Sequence, residues 1–200
     1  MRYIIMANGK GSRWKAGSDM PKHLAAVHGE SLLERIVRQL IELKVSDIVI
    51  TSSNLAYNVF GAHRHEPASD KFELDRFTTE LIADDCCFLY GDTFYTDEAM
   101  RTIVKLPVSE LMFVGSARSI VAVIVKKREP FEKALFEVRA AIERGEIEDA
   151  RGWEVHNVYT GQPLDSRKAS SEDYLIIGGT KNINTVEDYY ELVRSPDWNA

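Results

Sequence analysis

The chain has 200 residues, 44% of them hydrophobic, a size and composition that can bury a core without disulfides or a structural metal. Its formal net charge of −6 argues against a broad nucleic-acid-binding face, because such a face needs clustered Lys and Arg to displace phosphate counterions. The charge is uneven, since the first 28 residues contain five Lys or Arg and a single Asp. This asymmetry favours a local anion site at the N-terminal end.

Six short apolar runs rich in β-branched residues predict strands covered on both faces, as in a mostly parallel sheet. They span residues 3–6, 47–51, 86–90, 111–115, 120–125 and 174–178. Between the first two, an amphipathic stripe follows the S-x-x-E capping box of Ser31 and Glu34, which predicts a helix. Further helices are predicted over 97–104, over 130–143 with Pro130 as first residue, and over 186–193 behind Thr185. We expect residues 1–200 to form a single α/β domain, a three-layer Rossmann-like sandwich with right-handed crossovers.

Residues 54–73 and 144–172 lack periodicity, which predicts loops or a small excursion from the sheet. His63 and His65 lie in the first of these segments, and without a third ligand nearby they favour a surface loop over a metal site. Lys126 and Lys127 follow the fifth apolar run. A solvated pair at a strand end is a better interpretation of them than a phosphate contact.

The two cysteines, Cys86 and Cys87, are adjacent in an apolar run, where successive strand side chains point to opposite faces. A structural disulfide is therefore not expected, and reduced thiols suit a cytoplasmic protein. The N-terminal apolar run is too short for a signal-peptide core, and no window approaches the roughly 20 apolar residues that span a bilayer. We expect a soluble cytoplasmic protein without a membrane or nucleic-acid partner, and homodimerisation stays open.

Gly9 and Gly11 follow the first strand of the predicted βαβ unit. A glycine-rich turn at this point lets backbone N–H groups approach a phosphate closely, because no Cβ stands in the way. The dinucleotide pattern GxGxxG fails because Trp14 takes the place of its third glycine, and the P-loop pattern GxxxxGK[ST] is absent. A simple tight turn is the alternative for the glycine pair alone.

Five short segments carry a resemblance to a known family. GKGSR at 9–13, PKHL at 21–24 and HGESLLERI at 28–36 resemble, in this order, the opening of the nucleotidyltransferases of the GT-A-like α/β fold. These enzymes join a nucleoside triphosphate to a phosphorylated sugar or alcohol. FLYGDTF at 88–94 resembles the segment with the metal-binding aspartate, and TKNINTVEDYYEL at 180–192 resembles the closing segment with the other metal ligand. The matches occur near the start, middle and end of the chain.

The resemblance implies that an acceptor phosphate attacks the α-phosphorus of the triphosphate and that pyrophosphate leaves. Because the acceptor phosphate is already ionised, this reaction needs positioning and positive charge more than a general base. It implies catalytic roles for Arg13, on the β- and γ-oxygens, and Lys22, on the α-phosphate. Asp92 and Asn184 would hold Mg²⁺, and Asn182 is the alternative second ligand, although both asparagines suit a turn as well. The implied triphosphate-binding loop consists of Ala7, Asn8, Gly9, Lys10, Gly11 and Ser12.

The chain departs from the family pattern near the nucleobase. Asn8 stands where the family usually has Ala or Gly, and the Gly-Ser-rich segment that commonly packs on the base is missing between residues 52 and 91. FELDRFTTEL at 72–81 is a candidate replacement, and Trp14 either packs on the loop or covers a base. We favour a CTP- or UTP-dependent enzyme that acts on a sugar, polyol or amino-alcohol phosphate for capsule or other cell-surface polymer synthesis. A catalytically inactive nucleotide sensor and a GT-A glycosyltransferase stay open as alternatives.

Overall fold

The computed structural model describes residues 1–9, 11–15, 20–169, 172–195 and 198. The strands of this part of the chain are β1 (Arg2–Met6), β2 (Ala26–Val27), β3 (Glu30–Ser31), β4 (Ile48–Thr51), β5 (His63–His65), β6 (Cys86–Tyr90), β7 (Thr93–Tyr95), β8 (Leu111–Gly115), β9 (Ile120–Val125), β10 (Tyr174–Ile176) and β11 (Thr180–Asn182). Its helices are α1 (Ser12–Lys15), α2 (Leu32–Glu42), α3 (Asp97–Lys105), α4 (Arg128–Glu143), α5 (Gly152–Tyr159) and α6 (Val186–Arg194).

The central sheet has seven strands in the order β10-β8-β9-β6-β1-β4-β5. Six of them run in the same direction, and β9 is antiparallel to both of its neighbours, β6 and β8. The mostly parallel sheet is thus confirmed, with one exception. Only residues 116–119 join β8 to β9, and a parallel crossover needs a dozen or more residues, so the two strands form a hairpin. As a result β9 begins at the edge of the sheet where β1 and β6 end.

Helices cover both faces of the sheet, which confirms the three-layer architecture. One apolar cluster joins α4 and α5 to the sheet face that carries Phe88, and the other joins α2 and α3 to the face that carries Leu89. These neighbouring residues of β6 point to opposite faces, and both are fully buried. Because both faces of the strands are covered, the strands have the continuous apolar runs seen in the sequence.

The predicted helix starts agree with the structure within two residues. Ser31 caps α2, where its Oγ accepts from the Glu34 backbone N–H at 3.2 Å and the Glu34 carboxylate accepts from the Ser31 N–H at 2.9 Å. Thr185 caps α6 in the same way, with the Asp188 N–H. Helix α4 begins at Arg128, two residues before Pro130, because proline is tolerated anywhere in the first turn.

The two segments predicted as loops contain regular structure. His63–His65 forms β5, which pairs with β4 at the sheet edge, so the loop interpretation of His63 and His65 is wrong. Nε2 of His65 lies 3.1 Å from Oε1 of Glu80. Helix α5 lies in the second segment and packs through Trp153 and Val155 into the core. Tertiary burial therefore orders segments whose local patterns are weak.

Two further predictions can be compared with the structure. Both cysteines are buried and free, as expected for reduced thiols. Within the described ranges, no helix combines the length and the apolar character that crossing a membrane requires.

Candidate active site

The loop that follows β1, residues 7–11, is here called the glycine loop. Gly11 adopts φ +59°, a left-handed conformation that glycine adopts without strain. A Cβ at Gly9 would lie 2.8 Å from Nη2 of Arg76, so a larger residue there would displace that guanidinium. Glycine at position 11 thus avoids backbone strain, and glycine at position 9 leaves room for the Arg76 guanidinium next to the backbone. Lys10 and its predicted role lie outside the described residues.

A buried ion pair lies beside this loop. Nζ of Lys22, at the start of a short 3-10 turn, donates to Oδ2 of Asp92 at 2.6 Å, and each side chain is 8% exposed. Asp92 lies between β6 and β7, where its backbone carbonyl accepts from the Ile183 N–H at 2.8 Å. Burial alone would raise the pKa of the Asp92 carboxyl, but the Lys22 charge acts against it and the net pKa is lowered. The Asp92 carboxyl is therefore a buried, ionised group.

Predicted site residues from near the two ends of the chain are in contact with each other. Nη2 of Arg13, in α1, donates to Oδ1 of Asn184 at 3.0 Å. Asn184 is positioned by its own backbone N–H, which donates to the Asp188 carboxylate at 2.8 Å. The Oδ1 of Asn182 accepts instead from Thr93 Oγ1 at 2.9 Å, within the β7–β11 pair. Of the two asparagines, Asn184 is thus the one in contact with a predicted site residue.

Three cavities with shared lining residues form one groove along this edge of the sheet. The upstream cavity lies beside Ala7, Asn8, Ser52, Asn54 and Tyr57. The central cavity is lined by Asn8, Gly9, Gly11, Arg13, Lys22 and Asn184, among others. The third, the arginine cavity, is lined by Arg13, Arg76, Asp92, Arg118, Arg151 and Trp153, among others. The groove thus brings together Arg13, Lys22, Asp92, Asn184, Ala7, Asn8, Gly9 and Gly11. The side chain of Ser12 is outside what the structure describes.

Arg76 is a groove residue that the sequence analysis did not identify. It ends the 3-10 turn Glu73–Arg76, and the neighbouring Leu74 and Phe77 anchor this turn in the core with 1% exposure each. The guanidinium lines both the central and the arginine cavities, and its Nε is buried without a hydrogen-bond partner among the described residues. One feature of the sequence could have indicated Arg76: in FELDRF it lies between the apolar residues Leu74 and Phe77, in the region where the family's base-packing segment is missing.

His23 follows Lys22 in the chain and lies close enough to the ion pair to interact with both of its charges. Its Nδ1 lies 3.1 Å from the Tyr57 hydroxyl, and the side chain is buried. Burial lowers the pKa of His23 to about 3, so the imidazole is neutral near pH 7. A neutral ring next to Lys22 adds no like charge to the site.

Trp14 is largely buried: its Nε1 donates to the Met20 carbonyl at 2.6 Å and its ring lies against Tyr189 at a centroid distance of 5.9 Å. It also lines the upstream cavity, so packing on the loop and covering a base both stay predictions. Lys126 and Lys127 lie at the C-terminal end of β9, at the sheet edge opposite the groove, and pair with Asp85 and Glu110. The interpretation of the two lysines as a solvated pair is confirmed.

The donor set of the groove fits a hard divalent cation. Asp92 and Asn184 offer a carboxylate and an amide oxygen, and Mg²⁺ typically takes one or two protein oxygens and completes its shell with phosphates and water. No cluster of three or more His, Cys, Asp or Glu suited to a metal occurs among the described residues. A protein-only metal cage is therefore not what these residues would build.

The fold and the glycine loop are features of the nucleotidyltransferase family. The chain belongs to the family of the MobA-like NTP transferase domain, whose model matches residues 3–106. The resemblance seen in the sequence is thus confirmed. A comparison with curated proteins gives no match.

Solved structures share the fold across nearly the whole chain. CTP:phosphocholine cytidylyltransferase (LicC) from Streptococcus pneumoniae is 16% identical with a TM-score of 0.58, covering 96% of this chain and 97% of its own. The inositol-1-phosphate CTP transferase from T. maritima is 14% identical with a TM-score of 0.60, covering 96% and 94%. A nucleoside-diphosphate-sugar pyrophosphorylase from Vibrio cholerae is 14% identical with a TM-score of 0.67, covering 96% and 100%.

Proposed function

We propose that this chain transfers a nucleoside monophosphate from a nucleoside triphosphate to a small phosphorylated acceptor and releases pyrophosphate. The observation that carries the proposal is that Arg13, Lys22 and Asp92 converge on one groove, although Arg13 and Asp92 are 79 residues apart in the sequence. Two polyanions must approach each other in this reaction, so catalysis depends on positive charge placed where negative charge accumulates. The groove offers such charge on both sides of the glycine loop.

In this proposal the triphosphate lies on the glycine loop in the central cavity. Lys22 binds the α-phosphate and the incoming oxygen, and Arg13 binds the β- and γ-oxygens. Arg76 adds a third cation, because its guanidinium packs on Gly9 and faces the same cavity. All three cations line the central cavity before the substrate arrives, so the positive charge that the reaction needs is already gathered at this site.

Asp92 and Asn184 would hold Mg²⁺, which supplies charge neutralisation at the triphosphate. Both oxygens already accept from a cationic side chain, Asp92 from Lys22 and Asn184 from Arg13. Loading therefore requires these two side chains to turn toward the phosphates they are proposed to bind. The ion pair of the free protein thus keeps Lys22 and Asp92 ordered until the nucleotide arrives.

The nucleobase is assigned to the upstream cavity, where Asn8, Ser52 and Asn54 offer amide and hydroxyl groups to a base edge. CTP or UTP is the favoured donor, and the acceptor is a sugar, polyol or amino-alcohol phosphate that becomes an activated precursor for capsule or other cell-surface polymers. Such an enzyme would work in the cytoplasm, where triphosphates are available.

The test is a substrate screen with pyrophosphate as the readout. The protein is incubated with Mg²⁺, each of CTP, UTP, ATP, GTP and dTTP, and a panel of phosphorylated sugars and alcohols, with omission of Mg²⁺ as control. Pyrophosphate from one donor and acceptor pair, lost without Mg²⁺, supports the proposal. Triphosphate binding without pyrophosphate for any acceptor would identify an inactive nucleotide-binding protein, and absence of both binding and turnover would overturn the proposal.

A further inference from the structure

The arginine cavity differs in charge from the central cavity. Its lining contains four arginines, Arg13, Arg76, Arg118 and Arg151, against two carboxylates. The lining of the central cavity contains three cations and three carboxylates. The arginine cavity includes Asp92 but neither glycine of the glycine loop, so it extends from Asp92 away from the proposed triphosphate. The part of the groove that would receive the acceptor is thus the more positive part.

The carboxylates in this cavity are already paired. Asp92 accepts from Lys22, and Glu73 lies 2.6 Å from Nε of Arg151 and 3.5 Å from Nη2 of Arg76. One glutamate therefore serves two guanidinium groups. Arg118 is exposed and has no ion pair with any described residue. The described lining of the arginine cavity therefore keeps a surplus of positive charge.

Arg118 is presented by a hydrogen-bonded turn. The Ser116 N–H donates to the Ser119 carbonyl at 2.9 Å, and the Arg118 N–H donates to Ser116 Oγ at 3.1 Å. On the other side, Nε1 of Trp153 donates to the Arg118 carbonyl at 3.4 Å. The backbone that carries this cation is thus fixed on both sides, between β8 and β9 and against α5.

Trp153, which with Tyr90 is one of two aromatic residues that line the arginine cavity, has little open surface for a cationic acceptor. One face of Trp153 stacks on Tyr174 at a centroid distance of 5.2 Å, and an edge contact with His156 occupies more of the ring. Only 8% of Trp153 is exposed. A quaternary ammonium group needs open aromatic faces and would meet like charge from the arginines.

We propose that the acceptor carries a second anionic group, besides the phosphate that attacks, and that Arg118 and Arg151 bind this group. The inference rests on the proposed function, since it assigns the arginine cavity to the acceptor. The attacking phosphate lies near Lys22 and Asp92, and the remainder of the acceptor reaches into the arginine cavity, whose volume of about 210 Å³ suits a compact molecule. A carboxylate or a second phosphate provides the oxygens that guanidinium groups bind in a bidentate manner.

Matched acceptors test this proposal with the full-length chain. O-phosphoserine is compared with phosphoethanolamine, and glucuronic acid 1-phosphate with glucose 1-phosphate, so that each pair differs by a carboxylate. Glucose 1,6-bisphosphate compared with glucose 1-phosphate tests a second phosphate. In at least one pair we expect the more anionic member to have a kcat/KM about 10- to 100-fold higher, the range of a charge-assisted hydrogen bond. Equal use of both members in every pair, or a preference for phosphoethanolamine or phosphocholine, would overturn the proposal.

Substitutions at Arg118 test whether this residue causes the preference for the more anionic acceptor. Arg118→Gln should remove most of the preference by raising the acceptor KM, while the KM for the triphosphate stays within about twofold, and Arg118→Lys should restore part of it. Lys127→Gln, at the opposite edge of the sheet, is the matched control and should leave the preference unchanged. An equal rise in both KM values for Arg118→Gln would contradict an acceptor role.

Calorimetry separates this proposal from the proposed function. The same acceptor pairs are titrated into protein saturated with Mg²⁺ and a non-hydrolysable CTP analogue, or into protein alone if the analogue does not bind. Tighter binding of the anionic member that depends on Arg118 supports the charged site even if no pyrophosphate forms. Binding without this dependence, or no binding of any pair, overturns the inference even if pyrophosphate is formed.

Discussion

Two lysine–carboxylate pairs lie at opposite edges of the same sheet and show how burial changes the energetic contribution of an ion pair. Lys22 and Asp92 are 2.6 Å apart with 8% exposure each, whereas Lys127 and Glu110 are 3.2 Å apart with 63% and 42% exposure. The exposed pair is screened by water and contributes about 0–1 kcal/mol. Burial of the first pair costs desolvation energy that apolar residues would not incur, so stability alone does not explain it. The roles proposed for Lys22 and Asp92 in binding the triphosphate and Mg²⁺ would explain why a charged pair occupies this position.

The largest expected effect concerns stability. Lys22→Met leaves the Asp92 carboxylate buried without its partner, which should cost about 3–5 kcal/mol of unfolding free energy. Lys127→Met should cost less than about 0.5 kcal/mol, because Glu110 stays solvated. Urea denaturation of the two variants and the wild type measures both values.

The double variant sharpens this comparison. Lys22→Met combined with Asp92→Leu removes both charges and should recover most of the stability lost by Lys22→Met alone, without recovering activity. If the two single lysine variants are equally stable, the difference in burial has no energetic consequence and the comparison fails.

Activity gives the next largest effect. Asp92→Asn should lower kcat/KM for pyrophosphate formation by several hundred-fold, corresponding to about 3–4 kcal/mol of transition-state stabilisation. It should also raise the Mg²⁺ concentration needed for half-maximal rate, because an amide binds the ion more weakly than a carboxylate does. Glu110→Gln changes the equivalent carboxylate of the exposed pair and should leave both quantities unchanged. A comparable loss in Glu110→Gln would point to a general effect on folding.

The parts of the fold that the sequence predicts are those whose signals are local. The capping residues Ser31 and Thr185 each fix a helix start through side-chain contacts within three residues, so their motifs are readable without the fold. The antiparallel direction of β9 can also be predicted from the sequence, because four connecting residues cannot form a parallel crossover. The apolar runs alone carry no information on direction.

The parts that could not be predicted depend on contacts between distant segments. Arg76 reaches Gly9 because Leu74 and Phe77 bury their side chains in the core, and no pattern around residue 76 specifies that neighbour. Arg118 and Arg151 come together with Asp92 only after β9 is placed antiparallel and α5 packs beside it. Most of the proposed triphosphate site is thus encoded in contiguous motifs, whereas Arg76 and the proposed acceptor site depend on the topology.

The dependence of the unfolding free energy on pH tests whether His23 is buried and neutral in the folded protein. Burial lowers the pKa of His23 to about 3, below its ordinary value of 6.5, so the unfolded chain binds a proton in this interval that the folded chain does not. Unfolding free energy should therefore fall as pH decreases from 6.5, by at most about 1.4 kcal/mol per pH unit for this group.

Measurement between pH 7 and 5 avoids the titration of ordinary carboxylates. His156, whose pKa is also lowered by burial, contributes a fall of the same sign, so the readout is the difference between wild type and His23→Gln. The variant should show a flatter dependence of unfolding free energy on pH. Parallel curves for the two proteins would mean that His23 takes up its proton equally in the folded and unfolded states.

The smallest effect is expected at the exposed rim of the groove. Arg13 is exposed, and its contact with Asn184 competes with water, so Arg13→Gln should change stability by less than about 0.5 kcal/mol. Its proposed contacts with the β- and γ-oxygens form only when the triphosphate binds, and their loss should raise the KM for the triphosphate about tenfold. Arg128→Gln, an exposed arginine at the opposite edge that pairs with Glu132, is the control. If Arg13→Gln lowered kcat as much as Asp92→Asn does, the exposed Arg13 would be as important for catalysis as the buried Asp92. Burial would then not indicate which charged residues of the groove are essential.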